Sequence, residues 1–426
     1  MTVLPINNGL DAAGSPKRAG FVLGRRASLA VSAGVAAHTL WTSAAPALTY
    51  RLYAQEWHLN YTATTAIFAV YPIAVVAMLV GFGGISDQIG RRAAMLLGLG
   101  ASLVGAVLFA VAPDVWWVFA GRAFMGVGVG LSVGPSSAAI LEFSSDQSAK
   151  RAASLTMTAQ AGGFAAALLV GGALTEYGPW PTRLCFWVLA VLLAALTIAM
   201  WFLPRRMTGV VKGGWRPRTP FVPKDMRRAF VTASAAMMAA YTFGVLVLSL
   251  GGQVEHDLIG SSNALLNGAV MALFPIVLGP VGIVAKVLSS RIALTIGSVA
   301  SVLAMGLLVL AVARRDLLIY FVATATAGAA YSLLFVGGLG LINATGAPHH
   351  RGAVFSALYL VGYLSMGVLA LVLGVVATIW GLGLAVNLGA AAIAMTSVAT
   401  LVLAATTLKG ESQGQHQHYL THGSGE

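Results

Sequence analysis

Long apolar runs, each broken by a short polar joint, make up nearly the whole chain. A run of about 20 apolar residues is what a helix needs to cross roughly 30 Å of hydrocarbon, and a helix satisfies its own backbone hydrogen bonds where lipid cannot. Twelve such runs are predicted, near 27–48, 63–83, 93–113, 116–140, 152–175 and 184–203, then 229–250, 263–285, 292–313, 316–343, 351–374 and 383–406. One longer polar stretch, Pro204 to Arg228, divides them six and six. The domain reading is a cytoplasmic tail over 1–26, a six-helix bundle over 27–203, a cytoplasmic linker over 204–228, a second bundle over 229–406 and a C-terminal cytoplasmic tail over 407–426.

Composition supports a lipid-embedded, all-α membrane protein. Charged residues make up 9% of the 426, against about 25% in an ordinary soluble domain. The net charge of +12 would suggest nucleic acid, but its placement argues otherwise. Of the 25 Lys and Arg, twenty fall in segments on one side of the membrane, four on the other, and Arg122 lies inside a span. That bias follows the positive-inside rule and puts both termini in the cytoplasm, at a plasma (inner) membrane. A missed or invented span would swap the sides downstream and spoil it. The lipid bilayer, not nucleic acid, is the expected surrounding, and a monomer is expected. The single cysteine, Cys185, lies in an apolar run, so no intrachain disulfide is possible. His416, His418 and His422 fall in a tail expected to be disordered, since no acid or cysteine completes a metal site with them.

The joint between the second and third runs reads GGISDQIGRR, Gly83 to Arg92. Asp87 stands just ahead of a helix N-terminus, where free N–H groups favour a carboxylate, and Arg91 and Arg92 sit at the same boundary. The pattern Gly-x-x-x-Asp-x-x-Gly-Arg-Arg, with Gly83, Asp87, Gly90, Arg91 and Arg92, resembles the loop signature of the major facilitator superfamily. Gln88 departs from it, standing where a second basic residue is usual. The resemblance implies twelve transmembrane helices in two pseudo-symmetric six-helix bundles, with this loop as a conformational latch between them. Between the eighth and ninth runs, GIVAKVLSSR, Gly282 to Arg291, reads as a degenerate second copy, with Lys286 in the place of Asp87.

Arg122 lies in GRAFMGVGVG, Gly121 to Gly130. An ionised group there costs on the order of 3 kcal/mol on insertion scales, so it should face the bundle interior. The segment resembles the family's fourth-helix motif, which links this arginine with proton coupling. No Asp or Glu falls within the central part of a span, so the candidate partners are His38, Trp41 and Thr42, which share a face. Arg122 is then either satisfied by carbonyls and hydroxyls or partly free for an anion. His38 suits a proton carrier by its unperturbed pKa of about 6.5, or else makes an interhelical hydrogen bond. Gln160 could line a cavity or tie two helices together. Tyr331, Tyr359 and Tyr363 should face inward, because phenol hydroxyls do not belong in lipid.

These features point to a secondary transporter moving a small organic solute by alternating access; no ATP-binding loop is present, so an ion gradient must drive it, and protons are the ion expected. Efflux of drug-like or metabolite molecules is the reading taken. Uptake of an organic acid and a transport-inactive receptor or scaffold are the alternatives, and span five lacks the glycine–proline signature common in proton–drug antiporters. No catalytic dyad or metal cluster lies inside the spans, so neither an enzyme nor a cofactor is indicated.

Overall fold

The computed structural model describes residues 22–82, 85–144, 149–204, 222–345 and 351–422. Twelve long helices carry them: α1 Arg25–Ala44, α2 Tyr61–Phe82, α3 Arg91–Ala110, α4 Val115–Phe143, α5 Ala149–Tyr177, α6 Leu184–Trp201, α7 Arg227–Gly244, α8 Ala264–Ala285, α9 Ser290–Arg314, α10 Leu317–Thr345, α11 Arg351–Trp380 and α12 Leu382–His422. Short helices at Tyr50–Glu56 and Ser86–Ile89 follow α1 and α2. Beyond Gly244, α7 runs on through π-helical turns at Val245–Ser249 and Val254–Ile259, separated by Gly251–Gln253. No strand occurs among the described residues.

Eleven of the twelve are long and apolar enough to cross a membrane. The exception is α1, whose Ser28, Ser32, His38, Thr39, Thr42 and Ser43 are all buried. It packs on α4 and α5, which cover that polar stripe, and Ser32, His38 and Thr39 bond carbonyls of α1 itself. The structure differs from the expected disordered tail in that α12 continues helically to His422. No proline interrupts residues 382–422, so nothing breaks its hydrogen-bond ladder.

The packing repeats with a period of six helices. In the first half α1 packs on α4 and α5, α2 on α4, α3 on α4 and α6; in the second α7 packs on α10 and α11, α8 on α10, α9 on α10 and α12. The two seams between halves obey the same rule, α2 against α11 and α8 against α5. Local chemistry repeats too. Asp114 caps α4 by accepting from the backbone N–H of Trp116 at 2.9 Å, and Asp316 caps α10 by accepting from Leu318 at 2.8 Å. Pro72 in α2 and Pro275 in α8 occupy matching positions, each the twelfth residue of its helix. Pro135 and Pro280 lie within continuous helices.

Close packing depends on glycine at the α3–α4 contact. A Cβ on Gly128 would stand 2.1 Å from Ser102 Oγ and 2.5 Å from the Gly98 carbonyl oxygen, so the helices touch backbone to backbone. A Cβ on Gly134 would meet nothing within 4 Å. Gly128→Val should therefore lower the melting temperature in detergent, by the roughly 1–3 kcal/mol typical of overpacking. Gly134→Ala should leave it unchanged. Equal melting temperatures for the two variants would show that α3 and α4 are not in this close register.

Candidate functional site

A cavity of about 310 Å³ lies between the halves. α1, α2, α4 and α5 line it from the first half, and α7, α8, α10 and α11 from the second. Its wall holds Thr39, Ser43, Tyr71, Gln160, Phe164, Tyr241, Phe274, Tyr331, Phe335, Tyr359 and Tyr363, and among the described residues includes no Asp, Glu, Lys, Arg or His. Leu79, Val133, Met157 and Phe355 extend the lining toward the end of the molecule that carries the linker and termini.

Aromatic rings dominate the second-half wall. Tyr241 meets Tyr363 edge-on at 4.8 Å between centroids, Phe274 meets Tyr331 edge-on at 5.6 Å, and Tyr331 stacks on Phe335 at 5.8 Å. These are the separations aromatic pairs prefer. Opposite them, Gln160 Nε2 donates to Thr39 Oγ1 at 3.3 Å, joining α5 to α1 at the wall. Gln160, Tyr331, Tyr359 and Tyr363 thus come together as wall residues. Tyr241, Tyr71 and Phe274 belong to the same wall and were missed, although the phenol argument used for Tyr331 applies equally to Tyr241 and Tyr71, each in an apolar run.

Arg122 is fully buried but does not line the cavity. Its Nη1 donates to the Ser43 carbonyl at 3.2 Å, while Nε and Nη2 have no hydrogen-bond partner among the described residues. Three rings surround it: Tyr71 at 4.7 Å, Phe68 at 5.7 Å and Tyr50 at 6.0 Å from the guanidinium carbon. The partners expected on α1, His38, Trp41 and Thr42, give way to this aromatic cage, because ring faces attract a guanidinium where no carboxylate is present. Tyr71 both lines the cavity and faces the Arg122 guanidinium, one ring serving both.

His38 also lies behind the wall, fully buried. Its Nδ1 donates to the Val35 carbonyl, and Ser102 Oγ on α3 is 3.4 Å from its Nε2. Trp41 is partly buried and packs on the core outside the cavity.

At the end that carries the linker, Gly83 and the side chain of Asp87 lie outside the described residues. Gly90 precedes α3 at φ +86°, a conformation L side chains rarely adopt. Arg91 pairs with Glu142 on α4 at 2.9 Å. Arg92 donates to the Trp201 carbonyl and lies 5.7 Å from the centre of that indole. Both contacts fall within the first half. Lys286, in the second copy of the motif, crosses between halves and donates to Ser154 Oγ at 3.2 Å. Partial burial holds its ammonium below the ordinary lysine range.

At the opposite end, here the far side, several bonds join the halves. Tyr61 OH donates to Asp257 Oδ2 at 3.1 Å, the Thr62 N–H to Thr378 Oγ1 at 2.9 Å, and the Ala264 N–H to Glu176 Oε2 at 2.7 Å.

Because no carboxylate depends on Arg122, Arg122→Met should leave thermal stability in detergent equal or higher, as replacing buried charge by an apolar side chain often does. A loss of several degrees would show that the cage holds the fold together.

The Major Facilitator Superfamily profile matches residues 30–370. A multidrug efflux pump, LfrA, of Mycolicibacterium smegmatis is 29% identical over 215 residues, covering 46% of this chain and 40% of that protein. The inner membrane transport protein YajR of Escherichia coli is 25% identical over 155 residues, 34% of this chain and 33% of that one. A puromycin resistance protein of Streptomyces alboniger is 30% identical over 146 residues, 34% and 28%. Each match spans less than half of the relative's length. Among solved structures, the nucleoside transporter NupG superposes with a TM-score of 0.72 at 13% identity, covering 89% of this chain and 100% of that one. A POT family transporter in complex with 5-aminolevulinic acid superposes with a TM-score of 0.74 at 12% identity, covering 89% and 96%. With its profile matched over most of the chain, and its twelve helices folded as in those two transporters, this protein belongs to the Major Facilitator Superfamily.

Proposed function

We propose that this transporter exports drug-sized aromatic solutes, neutral or carrying a delocalised positive charge, in exchange for protons. The observation that carries the reading is the cavity wall: clustered phenol and phenyl rings, a few neutral hydrogen-bonding groups and, among the described residues, no ionisable acid or base apart from the phenols. Ring faces bind planar and cationic aromatics. Gln160, Thr39 and the tyrosine hydroxyls orient a polar substituent. An organic anion would lose its hydration without gaining a countercharge, since the Arg122 guanidinium does not line the cavity. The efflux direction draws support from relatives named as a multidrug efflux pump and a puromycin resistance protein. The chain carries no ATP-binding loop, so a gradient must drive export, and protons are the gradient proposed. His38 and Arg122 are the coupling candidates in the first half.

Reconstituted vesicles with an acidic lumen should accumulate ethidium while their lumen loses protons, and should leave benzoate outside. Accumulation of benzoate in place of ethidium would overturn the substrate class, and ethidium movement unaffected by the pH gradient would overturn proton exchange. Tyr331→Ala should weaken ethidium affinity roughly tenfold, the equivalent of about 1.4 kcal/mol of lost ring contact, whereas Tyr331→Phe should retain it.

A further inference from the structure

One carboxylic acid lies outside every site described so far. Glu255 is 0% exposed, and neither of its carboxyl oxygens has a hydrogen-bond partner among the described residues. It sits beyond the apolar span Arg227–Ser249, in the π-helical turn Val254–Ile259. That turn packs on α9 and α12 of its own half. Two residues on, Asp257 accepts the Tyr61 hydroxyl of α2 at 3.1 Å, one of the far-side bonds between halves. One short turn therefore buries an unpartnered acid in its own half and holds a clasp to the other.

We propose that Glu255 is a proton-operated lock on the far side: its neutral acid keeps the turn folded and the Asp257–Tyr61 clasp engaged, and its ionisation releases both. An ionised carboxylate without donor or countercharge costs several kcal/mol in such surroundings. The acid must therefore stay neutral or leave its niche. Leaving is easiest by unwinding the turn, which Gly251 and Gly252 precede and Gly260 ends at φ +90°. Unwinding carries Asp257 away from Tyr61.

The surrounding groups favour this assignment. Tyr320 on α10 interacts electrostatically with Glu255. On the turn itself, His256 and Asp257 are partly exposed and paired with each other at 2.8 Å. On α9, Arg291 and Arg314 stand exposed at the two ends, and residues 382–406 of α12 hold no titratable group. Arg315 is exposed, and Asp316 is occupied in capping α10. Burial without compensation raises the Glu255 pKa well above the carboxylate range. The sign follows: with its pKa raised in the closed state and about 4.3 when hydrated, the acid favours closure fully at low pH. That stabilisation is lost as pH rises toward the closed-state value, by up to tenfold in the closed-to-open ratio per pH unit.

Crosslinking tests the lock without any substrate, so its outcome is independent of the transport reading. Thr62→Cys with Thr378→Cys places two thiols where the native hydroxyls lie 2.9 Å apart across the far side. Crosslink yield with a thiol-specific bifunctional reagent, corrected for thiol reactivity with a monofunctional one, should fall as pH rises from about 5 to about 9. In Glu255→Gln, and in Glu255→Met should the amide fold poorly, the yield should stay high throughout. His256→Gln should keep the parental pH dependence. An infrared band of a protonated carboxyl, present in the parent at low pH and absent in Glu255→Gln, should fade together with the crosslink. A pH-independent parent overturns the lock, as does a Glu255 variant that keeps the parental dependence, or pH dependence that vanishes in His256→Gln.

Discussion

Hydrocarbon offers no hydrogen bonds, so a polar side chain that enters the membrane is driven to turn away from lipid and into the protein. That constraint shapes each unusual feature here. It wraps the hydroxyl-bearing stripe of α1 between α4 and α5. It gives Arg122 a carbonyl and three ring faces where no carboxylate is at hand. It also turns the tyrosine hydroxyls inward, where they form much of a cavity wall. A group that supports the fold and a group that greets a solute are, in this setting, often neighbours on the same helix. Tyr71 is both at once, one ring touching the guanidinium cage and the cavity.

The six-helix period accounts for where the halves touch. Because the packing pattern repeats, the seams of α2 on α11 and of α8 on α5 are two versions of one contact. Glycines keep both close: a Cβ on Gly374 would stand 1.8 Å from Thr65 Oγ1, and one on Gly268 2.5 Å from the Leu168 carbonyl oxygen. With little side-chain interdigitation at these points, the halves meet along smooth strips, and far-side closure rests on a few polar bonds at the rim.

Much of the fold was legible because lipid imposes a simple rule on composition. Run length and the one-sided placement of Lys and Arg marked the helices, and the repeated motif marked the two halves. The site was only partly legible. Inward-facing tyrosines follow from the cost of a phenol in lipid, which pointed to Tyr331, Tyr359 and Tyr363 and should also have pointed to Tyr241. Arg122 was expected to seek polar partners along α1. Its cage instead comes from Tyr50 on the short helix after α1 and from Phe68 and Tyr71 on α2, a convergence in space that helical spacing within one segment cannot reveal. The predicted seventh run stops at residue 250, whereas the chain keeps winding to Ile259, through a second π-helical turn.

The first helix of each half is jointed at the same end. After α1 the chain turns through Ala45 to Thr49 and resumes as Tyr50–Glu56, and after Gly244 α7 passes into its π-helical turns. A rod with an elbow can swing its tip while its shaft stays put. The far side of this molecule thus ends in two jointed tips, so a change at that mouth need not be mirrored at the other.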